Sequence, residues 1–182
     1  MNIVYVTGNE QKARYFNKMI GIEIEHRAVE IEEIQDTDIR KVIEHKAKVA
    51  FTAIGKPVLV EDTFLYFDAF GLLPGTFIKW FLQELGKEGL CRMLDGHDTR
   101  RAIAGAAIAY YDGKILEVFV KEHAGTIATK PLGKTGWGWD PIFIPEGAQK
   151  THGQMSQEDY ELSYAKIKPF TEVSVFLKSL NT

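Results

Sequence analysis

"RAIAGAAIAYYDGKILEVFVKEHAGTIA", residues 101–128, decides how the rest of the chain is read. Two runs rich in small, β-branched and aromatic residues flank Asp112-Gly113, and an Asp-Gly pair between such runs is a strong hairpin signal. The antiparallel pair it predicts, with a tight turn at 112–113, lies in a chain that otherwise alternates apolar runs with helical patterns. "IVYV" (3–6) is a short continuous apolar run, expected of a strand covered on both faces. "PVLVED" (57–62) reads the same way and ends in two acids, while "IEIEHRAVEI" (22–31) alternates like a half-buried strand. Buried strands between helices, plus one hairpin-rich half, predict an α/β fold: a single domain, 1–182, built on a mixed sheet.

Helical patterns fill the intervals. From about Glu10 to Ile20, the residues Ala13, Phe16, Met19 and Ile20 share one face. Asp36 or Thr37 is placed to cap a second helix reaching about Ile54, with Ile39, Val42, Ile43, Ala50 and Phe51 facing inward. "GLLPG" (71–75) marks a turn, and "FIKWFLQEL" then opens a helix expected to continue past Gly86 to about Leu94. "PEG" (145–147) is a further turn, followed by helices expected over 156–164 and 169–180. Pro169 suits the first turn of the last helix, whose apolar stripe is Phe170, Val173, Leu177 and Leu180.

The 45% hydrophobic and 26% charged residues are the balance of a soluble globular protein. A formal charge of −3 argues against polyanion binding by bulk charge. No nucleic-acid partner is therefore expected, and a phosphate site has to be built locally from a few lysines. Cys91 is the single cysteine, so no internal disulfide is available, and "EGLCRML" suits a small core residue. The opening "MNIVYVTGNEQK" has no basic stretch followed by a long apolar one, and no apolar run approaches a membrane span. A cytoplasmic protein with no membrane partner is the expectation.

Three stretches can carry chemistry. Thr7-Gly8-Asn9 with Lys12 lies between a buried strand and a helix, where free backbone N–H groups favour phosphate. The plainer alternative is a turn with Asn9 as helix cap. Glu61-Asp62-Thr63 puts two carboxylates at an expected strand end, where Asp62 suits a metal ligand or a base for water; a solvated strand end is the alternative. "EIEEIQD" (30–36) offers further acids, or simply a charged edge. In "GKTGWGWDPIF" (133–143), an extended backbone would turn Trp137 and Trp139 to one face across Gly138, a platform for a flat base. Core packing of the tryptophans competes with that reading. Asp140 could accept from a ring N–H, or open a turn before Pro141.

With "VTGNEQK" (6–12), "VLVEDTFLYFDAFGLLPGTFIKWF" (58–81), "GWGWDPIFIPEG" (136–147) and "KTHGQMS" (150–156) in this order, the chain resembles the inosine triphosphate pyrophosphatase family nearly end to end. The resemblance implies Mg2+-dependent hydrolysis of a non-standard purine nucleoside triphosphate to the monophosphate and pyrophosphate. It also implies a homodimer and an elongated, two-lobed α/β fold around a long mixed sheet flanked by helices. By the same resemblance Thr7, Gly8, Asn9, Lys12, Lys46 and Lys79 hold the triphosphate, and Glu33 and Asp62 hold the metal. Asp62 is the principal catalytic carboxylate, with Glu61 in the same block, Asp68 assisting and Thr63 touching substrate. Trp137, Gly138, Trp139 and Asp140 take the positions beside the base. A non-catalytic nucleotide-binding protein on the same fold is the competing class. No GxxxxGK[ST] is present, so the pattern is not that of a P-loop NTPase.

One segment departs. Where the family reads roughly "EEKN…SHR", this chain has "QEDYELSYAKIK" (157–168): Ser163 survives, while the lysine falls on Asp159, the histidine on Tyr164 and the arginine on Ala165. Losing cationic donors and gaining an acceptor at the base edge is expected to favour an amino-bearing purine. Two alternatives stand beside this: Asp159 completes a capping box with Ser156, or Lys166 replaces the arginine after a one-residue shift.

Overall fold

The computed structural model describes residues 2–180. In chain order the elements are β1 (Val4–Val6), α1 (Glu10–Ile20), β2 (Glu25–Arg27), α2 (Ile39–Ile54), β3 (Val58–Phe67) and β4 (Pro74–Gly75). They continue with α3 (Ile78–Arg92), β5 (Arg101–Tyr111), β6 (Leu116–Ile127), β7 (Phe143–Pro145), α4 (Gln157–Tyr164) and α5 (Phe170–Ser179). The strands form one mixed sheet in the order β2-β1-β3-β5-β6-β7, with β4 paired to β3. β1 runs parallel to both neighbours, Val4 facing Glu25 on one side and Val58 on the other. β4 and β7 are antiparallel to β3 and β6.

The chain divides into two compact units. The first takes the described residues up to Asp62, Ala106–Val120, and those from Pro169 onward. Alternation along β1 and β3 explains its core, because successive side chains leave opposite faces of a strand. Tyr5 and Leu59 pack with Phe16 and Ile20 of α1 and with Phe170, Val173 and Leu177 of α5. Val4, Val6, Val58 and Val60 pack with Ile43, Ala47 and Ala50 of α2. Both faces are covered, which is why these strands read as unbroken apolar runs. The second unit takes Thr63–Gly105 and Lys121–Lys168. Arg100 ties it internally, donating from Nη2 to the carbonyls of Cys91 (2.7 Å) and Ala128 (2.9 Å).

Several boundaries differ from the sequence expectation. The strand expected over 22–31 shrinks to Glu25–Arg27, three charged or polar, exposed residues that suit a sheet edge. The second helix starts at Ile39, capped by Asp38, whose carboxylate accepts from the Arg40 N–H at 2.9 Å. Asp36 instead accepts from the Asp38 N–H at 2.8 Å, so the expected cap is the turn before the helix. α3 does not pass smoothly through Gly86, which adopts φ 65°, ψ 179° and breaks it. The hairpin turn is looser than a two-residue one: Asp112 receives the Lys114 and Ile115 N–H groups on its side chain. Most consequential, β3 does not end at the acids. "TFLYF" continues it with β-branched and aromatic residues to Phe67, so Glu61 and Asp62 lie inside a strand of 10 residues.

Candidate active site

In the first unit, β1 ends at Val6 and the chain turns through Thr7 and Gly8 into α1. Asn9 caps that helix, its Oδ1 accepting from the Lys12 N–H at 3.0 Å, and Thr7 Oγ1 accepts from the Asn9 N–H at 3.2 Å. Asn9 as a helix cap and a phosphate-type turn are thus the same geometry, since capping satisfies only part of the helix's first-turn donors. A pocket of about 240 Å³ opens here, lined among others by Thr7, Gly8, Asn9, Lys12, Glu33, Lys46 and Glu61.

Because β3 runs straight through the acid pair, Glu61 and Asp62 leave opposite faces of the strand. Glu61 is buried beside α1, where it pairs with Lys12 (3.3 Å) and accepts from the Tyr5 hydroxyl (3.2 Å). Burial, reinforced by the Glu61 charge, pushes the Tyr5 phenol well above its ordinary range, so it remains a donor. Asp62 turns toward α2 instead. There Lys46 bridges it, at 3.6 Å, to Glu33 at 2.6 Å from the loop after β2. Burial works against the Lys46 charge, but Asp62, Glu33 and Glu61 outweigh it and hold the ammonium above its usual pKa. The expected metal acids therefore converge on one cation. Two hard carboxylates with further positions left to phosphate oxygens and water suit Mg2+, and this donor set fits it. Among the described residues no group of three or more His, Cys, Asp or Glu is arranged to hold a metal by itself.

Three other expected residues belong to the second unit. Thr63 follows Asp62 on β3 and is half-buried. Lys79 is exposed on α3, its ammonium 5.3 Å from the Trp80 ring centre. Asp68, in the 3-10 turn after β3, is exposed and paired with Arg101 at 3.2 Å.

The tryptophan stretch, also in the second unit, is a succession of turns and not an extended strand. Gly136 (φ 76°) and Gly138 (φ 57°) both occupy the left-handed region, which is open to glycine at little cost. The same-face platform expected of Trp137 and Trp139 does not form. Trp139 is buried against Phe143 and lies roughly parallel to the His152 ring. Trp137 stays half-buried, its ring meeting Tyr160 and Tyr164 at steep angles, 75° and 70°. Asp140 is buried, and three groups converge on its carboxylate: the Trp137 N–H (2.7 Å), the Tyr160 hydroxyl (3.0 Å) and His152 Nδ1 (3.0 Å). His152 Nε2 in turn meets Ser163 Oγ at 2.9 Å.

The divergent segment is α4 and the turn after it. Ser156 caps the helix, accepting from the Asp159 N–H (3.1 Å) and donating to its carboxylate (2.7 Å), so Asp159 is a capping residue in this structure. Tyr164 is buried and stacks on Tyr160, and the buried Lys168 ammonium lies 4.9 Å from its ring centre. Ser163, Asp159 and Lys166 border a cleft of about 510 Å³ that also includes Glu146 and Lys150. Sequence reasoning missed Tyr5, His152 and Tyr160. Tyr160 and Tyr164, four apart on one helix, carried a legible signal of a shared aromatic face; nothing in "KTHGQMS" marked His152.

Fold and site together define a mixed-sheet α/β protein with an acid-and-lysine pocket at a strand-to-helix turn and a separate, carboxylate-centred aromatic cluster. The chain belongs to the Ham1 family, whose model matches residues 3–165. It is 40% identical to the inosine triphosphate pyrophosphatase of Yarrowia lipolytica, over 97% of this chain and 96% of that protein. To the dITP/XTP pyrophosphatase of Saccharolobus solfataricus it is 31% identical, covering 98% of this chain and 95% of the relative. The solved HAM1 protein of Coxiella burnetii shares the fold with a TM-score of 0.86 at 21% identity, over 98% of this chain and 100% of that one.

Proposed function

We propose that this chain is a Mg2+-dependent pyrophosphatase of purine nucleoside triphosphates, acting on the non-standard class for which its relatives are named. The observation that carries the reading is the Glu33–Lys46–Asp62 bridge, together with the Thr7–Lys12 turn that lines the same pocket as Glu33 and Lys46. The near-full-length similarity to inosine triphosphate and dITP/XTP pyrophosphatases supports it.

The reaction adds water across the α–β anhydride: a water oxygen bonds to the α-phosphorus, the bond to the bridging oxygen breaks, and pyrophosphate leaves. The first-turn N–H groups of α1, with Thr7, Gly8, Asn9 and Lys12, hold phosphate oxygens. Lys46 neutralises charge that builds on the departing pyrophosphate. Asp62 orients the attacking water and accepts its proton. Glu33 and Asp62 are the residues that would hold Mg2+, which when bound supplies charge neutralisation and a more acidic water. Lys12 pairs with the buried Glu61 and holds its carboxylate in place. Thr63, Lys79 and Trp137, to which the family resemblance assigns substrate contacts, belong to the second unit, where Asp140 holds the Trp137 backbone N–H.

The enzyme works in the cytoplasm as a homodimer in this reading. A single buried thiol, Cys91, suits a reducing compartment, and exposed Leu72, Leu73, Trp80 and Leu85 supply apolar surface for a second copy. Among the described residues no helix is long and apolar enough to cross a membrane. The test is release of monophosphate and pyrophosphate from ITP, XTP and dITP with and without Mg2+. Turnover that vanishes in Asp62→Asn supports the proposal; nucleotide binding without turnover by the wild type refutes it.

A further inference from the structure

We infer that Tyr5 is a positioning residue for phosphate binding: acting through Glu61, its hydroxyl fixes the Lys12 ammonium where the triphosphate docks. This rests on the function proposed above and deepens it by adding a residue to the phosphate pocket.

Tyr5 lies in the apolar run of β1 and is 1% exposed, so its ring alone would serve the core. A buried hydroxyl is costly unless it is hydrogen-bonded, and this one donates to Glu61 Oε2 at 3.2 Å. Burial keeps the phenol well above its ordinary pKa, so the proton stays on Tyr5. The other carboxylate oxygen, Glu61 Oε1, meets Lys12 Nζ at 3.3 Å. The Tyr5 ring is itself anchored, stacked on Phe16 with centroids 4.4 Å apart and planes 18° from parallel. Phe16 and Lys12 stand four apart on α1 and share a face. The helix therefore meets Tyr5 twice, directly at the ring and through Glu61 at the hydroxyl. Tyr5, Lys12 and Glu61 all border the 240 Å³ pocket.

By charge alone, a carboxylate beside a phosphate site is a liability, because it repels the ligand. Its use here is geometric. Ordering a flexible lysine at the moment of binding costs affinity, and ordering it beforehand removes that cost. Lys12 is held at both ends before any ligand arrives: Asn9 Oδ1 accepts from its backbone N–H at 3.0 Å, and Glu61 holds its ammonium. An ammonium carries three donors, so a phosphate oxygen can share it with Glu61. Without the Tyr5 hydroxyl, Glu61 loses the donor that sets the rotation of its carboxylate, and Lys12 loses a fixed anchor. Tyr5 does not touch the phosphates in this scheme.

The test is a double-mutant cycle on affinity. The α,β-methylene analogue of ITP is not cleaved between the α and β phosphates. It is titrated calorimetrically, with Mg2+ present, into the wild type, Tyr5→Phe, Lys12→Gln and the double variant, with circular dichroism reporting retained fold. Tyr5→Phe is expected to raise the dissociation constant about three- to tenfold, the scale of ordering one lysine. Once Lys12 is Gln, the same change is expected to shift it by less than about twofold. A packing role alone would lower the melting temperature and leave the dissociation constant within about twofold, or add the same factor in both backgrounds, and either result overturns the inference. Tighter binding by Tyr5→Phe overturns it, and so does failure of the wild type to bind. Should Tyr5→Phe not fold, Glu61→Gln decides: weaker binding supports positioning, whereas equal or tighter binding, as repulsion alone predicts, overturns it. Coupling of Tyr5 to Lys12 without turnover of any triphosphate would retain this inference and refute the hydrolase reading; turnover without the coupling would do the reverse.

Discussion

Replacing Lys46 by Gln removes the cation that bridges Glu33 and Asp62, and the structure sets the size of the effect. The lysine side chain is 13% exposed, whereas the two carboxylates are 37% and 28% exposed. Breaking a fully buried pair costs about 3–5 kcal/mol. Water reaching both acids screens their mutual repulsion, so a loss of about 1–3 kcal/mol is expected here. For a chain of this length each kcal/mol shifts the melting temperature by about 2–4 °C, which puts the variant roughly 2–12 °C below the wild type. The pH dependence has a definite sign. Its partners raise the Lys46 pKa in the folded protein, so its stabilisation is fully present below the ordinary value of 10.5 and disappears as pH climbs through the raised one. The gap between wild type and variant should stay constant from neutral pH to about pH 9 and narrow above 10.5. Mg2+ adds a second readout, because the ammonium competes with a divalent cation for the same carboxylates. Thermal melts should show Mg2+ stabilising Lys46→Gln more than the wild type. A variant melting within 1 °C of wild type at pH 7.5 (~0.3–0.5 kcal/mol), or an equal Mg2+ shift in both proteins, would refute this account of the bridge.

Ser163→Ala leaves His152 Nε2 buried without its partner and should cost about 1–3 kcal/mol in urea unfolding; a loss below about 0.5 kcal/mol would mean the network does not need it. Gly136→Ala forces a side chain into the left-handed region and its Cβ into the Asp140 carboxylate. It should destabilise by at least about 1 kcal/mol and alter Trp137 fluorescence, and an unchanged melt and spectrum would contradict the geometry. Cys91 is buried, and burial pushes its thiol up to about 11. A disulfide reagent at pH 8 should therefore leave the native protein unmodified and react promptly in denaturant; fast native reaction would count against the burial.

How much of this was legible in the sequence depends on the range of the cause. The apolar runs at 3–6 and 57–62, the helical stripe at Ala13, Phe16 and Ile20, and the Asp112-Gly113 hairpin are local patterns, and each gives an element of the expected kind, though the second strand runs on to Phe67 and the hairpin turn is looser than a two-residue one. The failures arise where neighbouring options compete or where packing decides. Asp38 wins the cap of α2 over Asp36 by a choice between neighbouring turns, and Trp139 turns inward because Phe143 and His152 form a core around it. Glu61-Asp62 is the instructive case. As adjacent letters they read as a paired acid site, and a pair at a strand end could share one ion. Inside a continuing strand adjacent side chains leave opposite faces, so the two carboxylates take different direct partners. Glu61 is committed to Tyr5 and Lys12, which frees Asp62 to meet Glu33, 29 positions away, through Lys46. What distinguishes the two outcomes is the run "TFLYF" after the acids, whose β-branched and aromatic residues extend the strand. The division of labour between two neighbouring carboxylates is thus set by the residues that follow them.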